Sequence, residues 1–188
     1  MIHKAALAND IDHVLVSEEE LDRIVSEMAA QLDKDYGEDG KDLLLLGILK
    51  GSVVFMADLM KKLTIPVEID FMKVSSYGAD TKSSGRINII LDLHRSDLSS
   101  KDIVVVEDII DSGKTLSYLT EYLKINGARS VKTCTLLDKP SRREVDFVPD
   151  YRGAEVPDEF VVGYGLDYSE KYRALPFVGV LKEEIYTK

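Results

Sequence analysis

Residues 104–115, VVVEDIIDSGKT, join a β-branched run to two adjacent acids, a third acid and a Gly-Lys-Thr ending. That ending belongs to the nucleotide-binding P-loop, G-x-x-x-x-G-K-[ST], yet counting back from Gly113 puts Asp108 where the first glycine should be. The stretch Asp111-Ser112-Gly113-Lys114-Thr115 is too short, and too acidic at its start, to wrap a triphosphate. It keeps what a single phosphate needs: a strand before it, a helix after it, and small residues whose N–H groups can face an anion. Glu107 and Asp108 then require another partner, either hydroxyl groups or a metal ion. A phosphate a short distance from a diol describes a ribose 5-phosphate, the ligand class reached here by elimination. Each feature also has an ordinary structural reading. Two acids after a strand make a solvated turn, and Asp is a favoured helix N-cap.

Other chemistry-bearing residues are sparse. His3, His13 and His94 show no metal-ligand spacing. The single Cys134 sits within a strand pattern, where a buried and inert thiol is expected, and it cannot form an intrachain disulfide. Net charge is −10 and the sequence pI about 4.8. Such a chain is a poor non-specific nucleic-acid binder, because that binding runs on Lys and Arg neutralising phosphates. A local cradle or a divalent cation can still reverse the field around one small phosphorylated ligand. The N-terminus lacks a signal-peptide pattern, and no apolar run approaches the roughly 18–20 residues of a membrane span. A cytoplasmic protein without membrane contact is expected.

The elements that must position these residues alternate between strand and helix. Ser17, followed three residues later by Glu20, is a capping box, and Leu21, Ile24, Val25 and Met28 continue it at helical spacing over 17–32. Strands are predicted at 42–49, 66–74, 86–93, 102–108, 130–137, 159–166 and 177–181, and further helices at 51–63 and 113–127, the latter stopped by Asn126-Gly127. Residues 75–85 read as a polar, Gly-containing loop. This alternation implies a mainly parallel sheet of about five strands with helices on both faces, and ligands at the carboxyl ends of its strands.

VVVEDIIDSGKT resembles the phosphoribosyl-diphosphate (PRPP) signature of the type I phosphoribosyltransferases, and the acid at position 111 resembles the 6-oxopurine branch, the hypoxanthine-guanine phosphoribosyltransferases. LLGILKGSVVFMADL (45–59), VSSYG (74–78), LLDKPSRR (136–143) and FVVGYGLDYSEKYRALPFVGVL (160–181) resemble further family segments in the same order. The likeness runs from about residue 10 to the C-terminus. It implies an α/β type I phosphoribosyltransferase fold in one domain over 1–188. The core would span about 17–140, with a small hood from the N-terminal segment and about 141–188. In that fold Glu107 and Asp108 would hold the ribose 2′- and 3′-hydroxyls, and with Asp167 would be the Mg²⁺ ligands. Ser112, Gly113, Lys114 and Thr115 would form the 5′-phosphate loop, and Asp111 would be the general acid/base near purine N7. Lys139 would donate to the purine 6-oxo group, Phe160 would stack on the base, Val161 would contact its edge, and Asp167 would lie on the purine and diphosphate side. Lys50-Gly51 would form the diphosphate-binding turn, which in the family often contains a cis non-proline peptide bond. Arg173 would contact diphosphate, and Ser76-Tyr77 would belong to a mobile lid. Ser52-Val53-Val54 departs from the Gly and aromatic of other members after that turn, which bears on packing or subunit contacts there.

The activity so implied is Mg²⁺-dependent transfer of 5-phosphoribosyl from PRPP to hypoxanthine or guanine, giving IMP or GMP and diphosphate, by a homodimer or homotetramer. Two alternatives stand beside it: a relative preferring xanthine, and a non-catalytic PRPP-sensing RNA-binding regulator. The acidic charge and the intact Asp111, Lys139 and Asp167 disfavour the regulator.

Overall fold

The computed structural model describes residues 7–37, 42–76 and 87–187. Its centre is a six-stranded sheet formed by β2 (Leu43–Ile48), β3 (Glu68–Ser76), β4 (Ile87–Leu91), β5 (Asp102–Ile110), β6 (Ser130–Asp138) and β7 (Tyr151–Glu155). The order is β4-β3-β2-β5-β6-β7. Every pairing is parallel except that of β3 with the edge strand β4. The five parallel strands match the expected number but not the expected set. The 86–93 segment lies antiparallel as a sixth strand, and β7 was not read from its short, half-exposed YRGAE pattern.

Alternation explains why β2 and β5 are apolar runs. Leu43 and Leu45 of β2 face one core cluster, with Val104 and Val106 of β5. Leu44, Leu46, Ile103 and Val105 face the other. Helices α1 (Glu18–Tyr36) and α2 (Val53–Lys62) cover the first face through Leu21, Met28, Leu32, Phe55 and Leu59. Helix α3 (Lys114–Ile125) covers the second through Leu116, Leu119 and Leu123. Strands buried on both sides must be apolar at every position, and each fully buried leucine contributes about 1.5–3 kcal/mol. Cys134 is fully buried on the first face, and burial pushes its thiol far above the ordinary range.

A second sheet joins the two ends of the chain. β1 (Ile11–Val16) pairs antiparallel with β9 (Val178–Leu181), which pairs antiparallel with β8 (Val161–Val162). Val16, Val161, Val178 and Val180 tie it to the first core cluster. The strand predicted over 159–166 is therefore only two residues long. From Gly163 the chain turns through positive φ at Gly163, Tyr164 and Gly165, which strand geometry does not allow.

Ser17 caps α1 as predicted, its Oγ accepting from the Glu20 N–H at 3.2 Å. Ser17→Ala should lower unfolding free energy by about 1 kcal/mol in urea titrations, whereas Ser17→Asp should hold it near wild type.

Candidate active site

Because β2, β5 and β6 run parallel, their carboxyl ends open on one side of the sheet. Lys50 and Gly51 follow β2, with a cis peptide bond between Leu49 and Lys50. Asp111, Ser112 and Gly113 link β5 to α3, and Lys139 follows β6.

Strand β5 continues to Ile110, two residues beyond the predicted end, so Glu107 and Asp108 lie inside the ladder rather than in a turn after it. Asp108 is buried, and Glu107 Oε2 is buried without a hydrogen-bond partner. Burial, helped by the adjacent Asp108 carboxylate, pushes the Glu107 carboxyl well above its ordinary value. Burial likewise raises Asp108 to about 6, despite the Ile109 N–H donating to Oδ1 at 2.9 Å. The β2–α2 turn closes against this pair. A Cβ at Gly51 would stand 1.5 Å from Asp108 Oδ2, so only glycine fits there.

The loop beyond the acids has the form of an anion cradle. Gly113 takes φ +80°, the left-handed conformation that favours glycine, and is itself the N-cap of α3. Asp111 is therefore not a helix cap, and its carboxylate is 48% exposed. A small cavity of about 120 Å³ is lined by Glu107, Asp111, Ser112, Gly113 and Thr115. Lys114 is turned away from it into an ion pair with Glu144.

Asp111 also lines a second cavity of about 350 Å³, together with Lys139, Phe160, Val161 and Leu166. Four predicted residues from three separate segments thus meet around one space. Lys139 Nζ is nearly buried, donates to the Glu159 carbonyl at 2.9 Å and lies 3.8 Å from Asp111 Oδ1. Phe160, which periodicity alone would place in the core, is 38% exposed. Its ring stacks on Tyr186 at 4.8 Å and meets Tyr168 edge-on at 5.6 Å. Two larger cavities, one lined partly by Arg173 and the other partly by Phe160 and Tyr186, contain neither acid pair nor anion loop.

Asp167 does not line the cavity that holds Phe160. Its Oδ1 pairs with Arg173 Nη2 at 2.8 Å, and its Oδ2 accepts from the Glu170 N–H. Glu170 bridges the two predicted diphosphate contacts, at 2.9 Å from Lys50 Nζ and 3.3 Å from Arg173 Nη2. Lys50 and then Arg173 hold the Glu170 carboxyl below its ordinary range. Ser76 ends β3 and is a strand residue, paired with Ile87, rather than part of a loop. Tyr77 and the rest of the predicted lid lie outside the described residues. Among the described residues, no three His, Cys, Asp or Glu side chains gather into a group that could hold a metal ion unaided. The partnerless Glu107 Oε2 and the Asp108 carboxylate are hard oxygen donors suited to a cation that also takes ligand oxygens.

The phosphoribosyl transferase domain pattern matches residues 16–169. The chain belongs to the phosphoribosyltransferase family. The hypoxanthine-guanine phosphoribosyltransferase of Bacillus subtilis is 52% identical over 180 residues, covering 96% of this chain and 98% of that protein. A crystal structure of a hypoxanthine phosphoribosyltransferase from Staphylococcus aureus superposes with a TM-score of 0.90 at 49% identity, covering 97% of each chain. The bifunctional protein TilS/HprT of Listeria monocytogenes is 51% identical over 183 residues, but this chain spans only 28% of its length.

Residue-by-residue reading missed Tyr186, Leu166 and Glu170. Tyr186 sits in a four-residue helix, α4 (Glu183–Tyr186), and no spacing signal ties it to Phe160. Leu166 resembles any core leucine. Glu170 stands out only once φ +62° is seen at a non-glycine residue.

The raised Asp108 value has a sign that can be tested. The folded chain holds this proton more tightly than the unfolded chain, so no penalty exists below about pH 4, and stability falls as pH rises through about 6. Asp108→Asn removes the ionisation. In ligand-free urea titrations its stability relative to wild type should grow between about pH 4 and pH 7, by at most about 3 kcal/mol. A difference independent of pH would contradict the assignment.

Proposed function

We propose that this chain is a purine-salvage enzyme that transfers 5-phosphoribosyl from PRPP to hypoxanthine or guanine, giving IMP or GMP and diphosphate. The observation that carries the reading is the position of Asp111, which lines both a phosphate-sized loop cavity and an aromatic-sided cavity bearing a lysine donor. The names of the Bacillus subtilis and Staphylococcus aureus relatives support it.

In this reading the N–H groups of Ser112 to Thr115 and the Ser112 and Thr115 hydroxyls hold the 5′-phosphate. Glu107 and Asp108 accept from the ribose 2′- and 3′-hydroxyls. The purine rests on Phe160 with its edge at the Val161 backbone, and Lys139 Nζ donates to the 6-oxo group. An ammonium has only donors, so it suits a carbonyl and rejects the 6-amino group of adenine. As the N9–C1′ bond forms and the C1′–O bond to diphosphate breaks, the purine becomes more acidic. Asp111, near N7, accepts the proton it loses. Lys50, the Gly51 turn and Arg173 bind the departing diphosphate once Glu170 gives way. Mg²⁺, bound by diphosphate oxygens with Asp167 or the acid pair, would neutralise charge on the leaving group. Exclusion of water would protect the oxocarbenium-like transition state, a task expected of a lid whose residues from Tyr77 on lie outside the described residues. The enzyme is proposed to act in the cytoplasm, without nucleic-acid or membrane partners, as a homodimer or homotetramer. No helix among the described residues is long and apolar enough to cross a membrane.

Turnover of hypoxanthine, guanine, xanthine and adenine with PRPP and Mg²⁺ tests the assignment. Activity with hypoxanthine or guanine and none with adenine is expected, and failure with both 6-oxopurines would refute it. Asp111→Asn should lower kcat by about 10²–10⁴-fold while leaving PRPP binding by calorimetry nearly unchanged. Parallel losses in both would make Asp111 a structural residue.

A further inference from the structure

We infer that Arg143 is a positioning residue, a guanidinium strut that fixes the separation of Asp111 and Lys139. The segment after β6 folds back over the anion loop. The Glu144 and Val145 N–H groups both donate to the Ser112 carbonyl, at 3.0 and 3.3 Å, and the Lys139 N–H donates to the Ile110 carbonyl at 3.0 Å. Between these backbone ties lies Arg143, its side chain 16% exposed. Its Nη1 donates to the Asp111 carbonyl at 2.6 Å, and its Nη2 pairs with Asp138 Oδ1. Its stem packs on the loop, since a Cβ at Gly113 would stand 3.0 Å from Arg143 Cδ. Arg143 lines neither cavity of the site.

The anchor at the far end is rigid. Asp138 is the last residue of β6, its side chain is 3% exposed, and its Oδ2 is held by Arg152 Nη1 of β7 at 3.3 Å. Lys139 follows Asp138 directly, and its Nζ lies 3.8 Å from Asp111 Oδ1. The contacts therefore close a ring: Asp111 backbone, Arg143, Asp138, Lys139, and back to the Asp111 carboxylate. One side of the ring carries the proposed proton acceptor and the other the proposed 6-oxo donor. A planar guanidinium can hold two acceptors at a set spacing, which a lysine ammonium at the end of a flexible stem does not reproduce. Charge balance alone does not account for Arg143, because Arg152 already faces Asp138.

The inference rests on the proposed purine transfer, so wild type is assayed alongside. Steady-state kinetics, PRPP binding and thermal melts would be measured for wild type, R143Q, R143K and D138N. Displacement of a catalytic group by about 1 Å costs on the order of 100-fold, so kcat should fall roughly 10–100-fold in R143Q. It should fall to a similar extent in R143K, with KM for PRPP nearly unchanged in both. D138N leaves the arginine in place but reduces its anchor to one neutral amide acceptor, and a smaller loss in kcat with the same selectivity is expected. If R143Q does not fold, R143K and D138N carry the test. Wild-type kcat in R143K would reduce Arg143 to a counter-charge and overturn the role. Losses of kcat and PRPP affinity that track a fall in Tm would overturn it in favour of a scaffold residue. Inactivity of wild type with every purine would overturn both the function and the role, whereas an active wild type with unimpaired variants would overturn the role alone.

Discussion

Two adjacent carboxyl groups at the end of a buried central strand resist ionisation, and the site is arranged around that resistance. Glu107 and Asp108 lie in the β5 ladder, where burial raises both above the ordinary carboxylate range. Ionised and buried without partners, such groups are costly. The surroundings make room for them without neutralising them fully. Gly51 leaves space for Asp108, and Gly165, at φ +103°, lets its own backbone come against the Gly51 carbonyl. Arg173, which donates to the Gly165 carbonyl, contributes a distant favourable charge to Asp108. A ligand that offered hydroxyl donors or a cation to this pair would recover what burial withholds, so the proposed ribose recognition would be coupled to the stability of the core.

The same economy of position governs the rest of the site. A parallel sheet puts the ends of β2, β5 and β6 on one side, so the Lys50-Gly51 turn, the acid pair with its anion loop, and Lys139 come from three strand ends whose connections each need only be short. An acidic chain of net charge −10 thereby places Lys50 and Lys139 just beyond the carboxyl ends of β2 and β6, with Arg143 tied to the loop after β5 and Arg173 sharing Glu170 with Lys50. Each of these cations is held by an acid or carbonyl of the same chain. In the proposed reading, a diphosphate reaching Lys50 and Arg173 would have to displace Glu170 and Asp167 from them.

Much of the fold was legible because its signals are local. Ser17 and Glu20 marked a helix start, the apolar run at 42–49 marked a buried strand, and the β-branched run at 102–108 marked another. What failed to show was set by contacts distant in sequence. The strand expected over 102–108 already held both acids and fell short only of Ile109 and Ile110, but that Gly51, fifty-seven positions before Asp108, makes room for its carboxylate is set by a contact distant in sequence. β7 was missed because an edge strand needs burial on little of its length. The 159–166 segment reads as strand because Phe160, Val161 and Val162 are β-formers, but Gly163 and Gly165 turn the chain back after two paired residues. Phe160, Lys139 and Asp111 were found through family likeness and do share one cavity. Tyr186 stacks on Phe160 with no spacing to announce it, and Arg143, although it closes the 136–143 segment, shows its ties to Asp111 and Asp138 only in three dimensions.

The central claim is that the acids of β5 and the loop after it form one ribose 5-phosphate site. A crystal structure of the chain with IMP tests this most directly. The account predicts the 5′-phosphate on the N–H groups of Ser112 to Thr115 and the ribose hydroxyls on Glu107 and Asp108. A phosphate bound elsewhere, or a ribose turned away from both carboxylates, would contradict it.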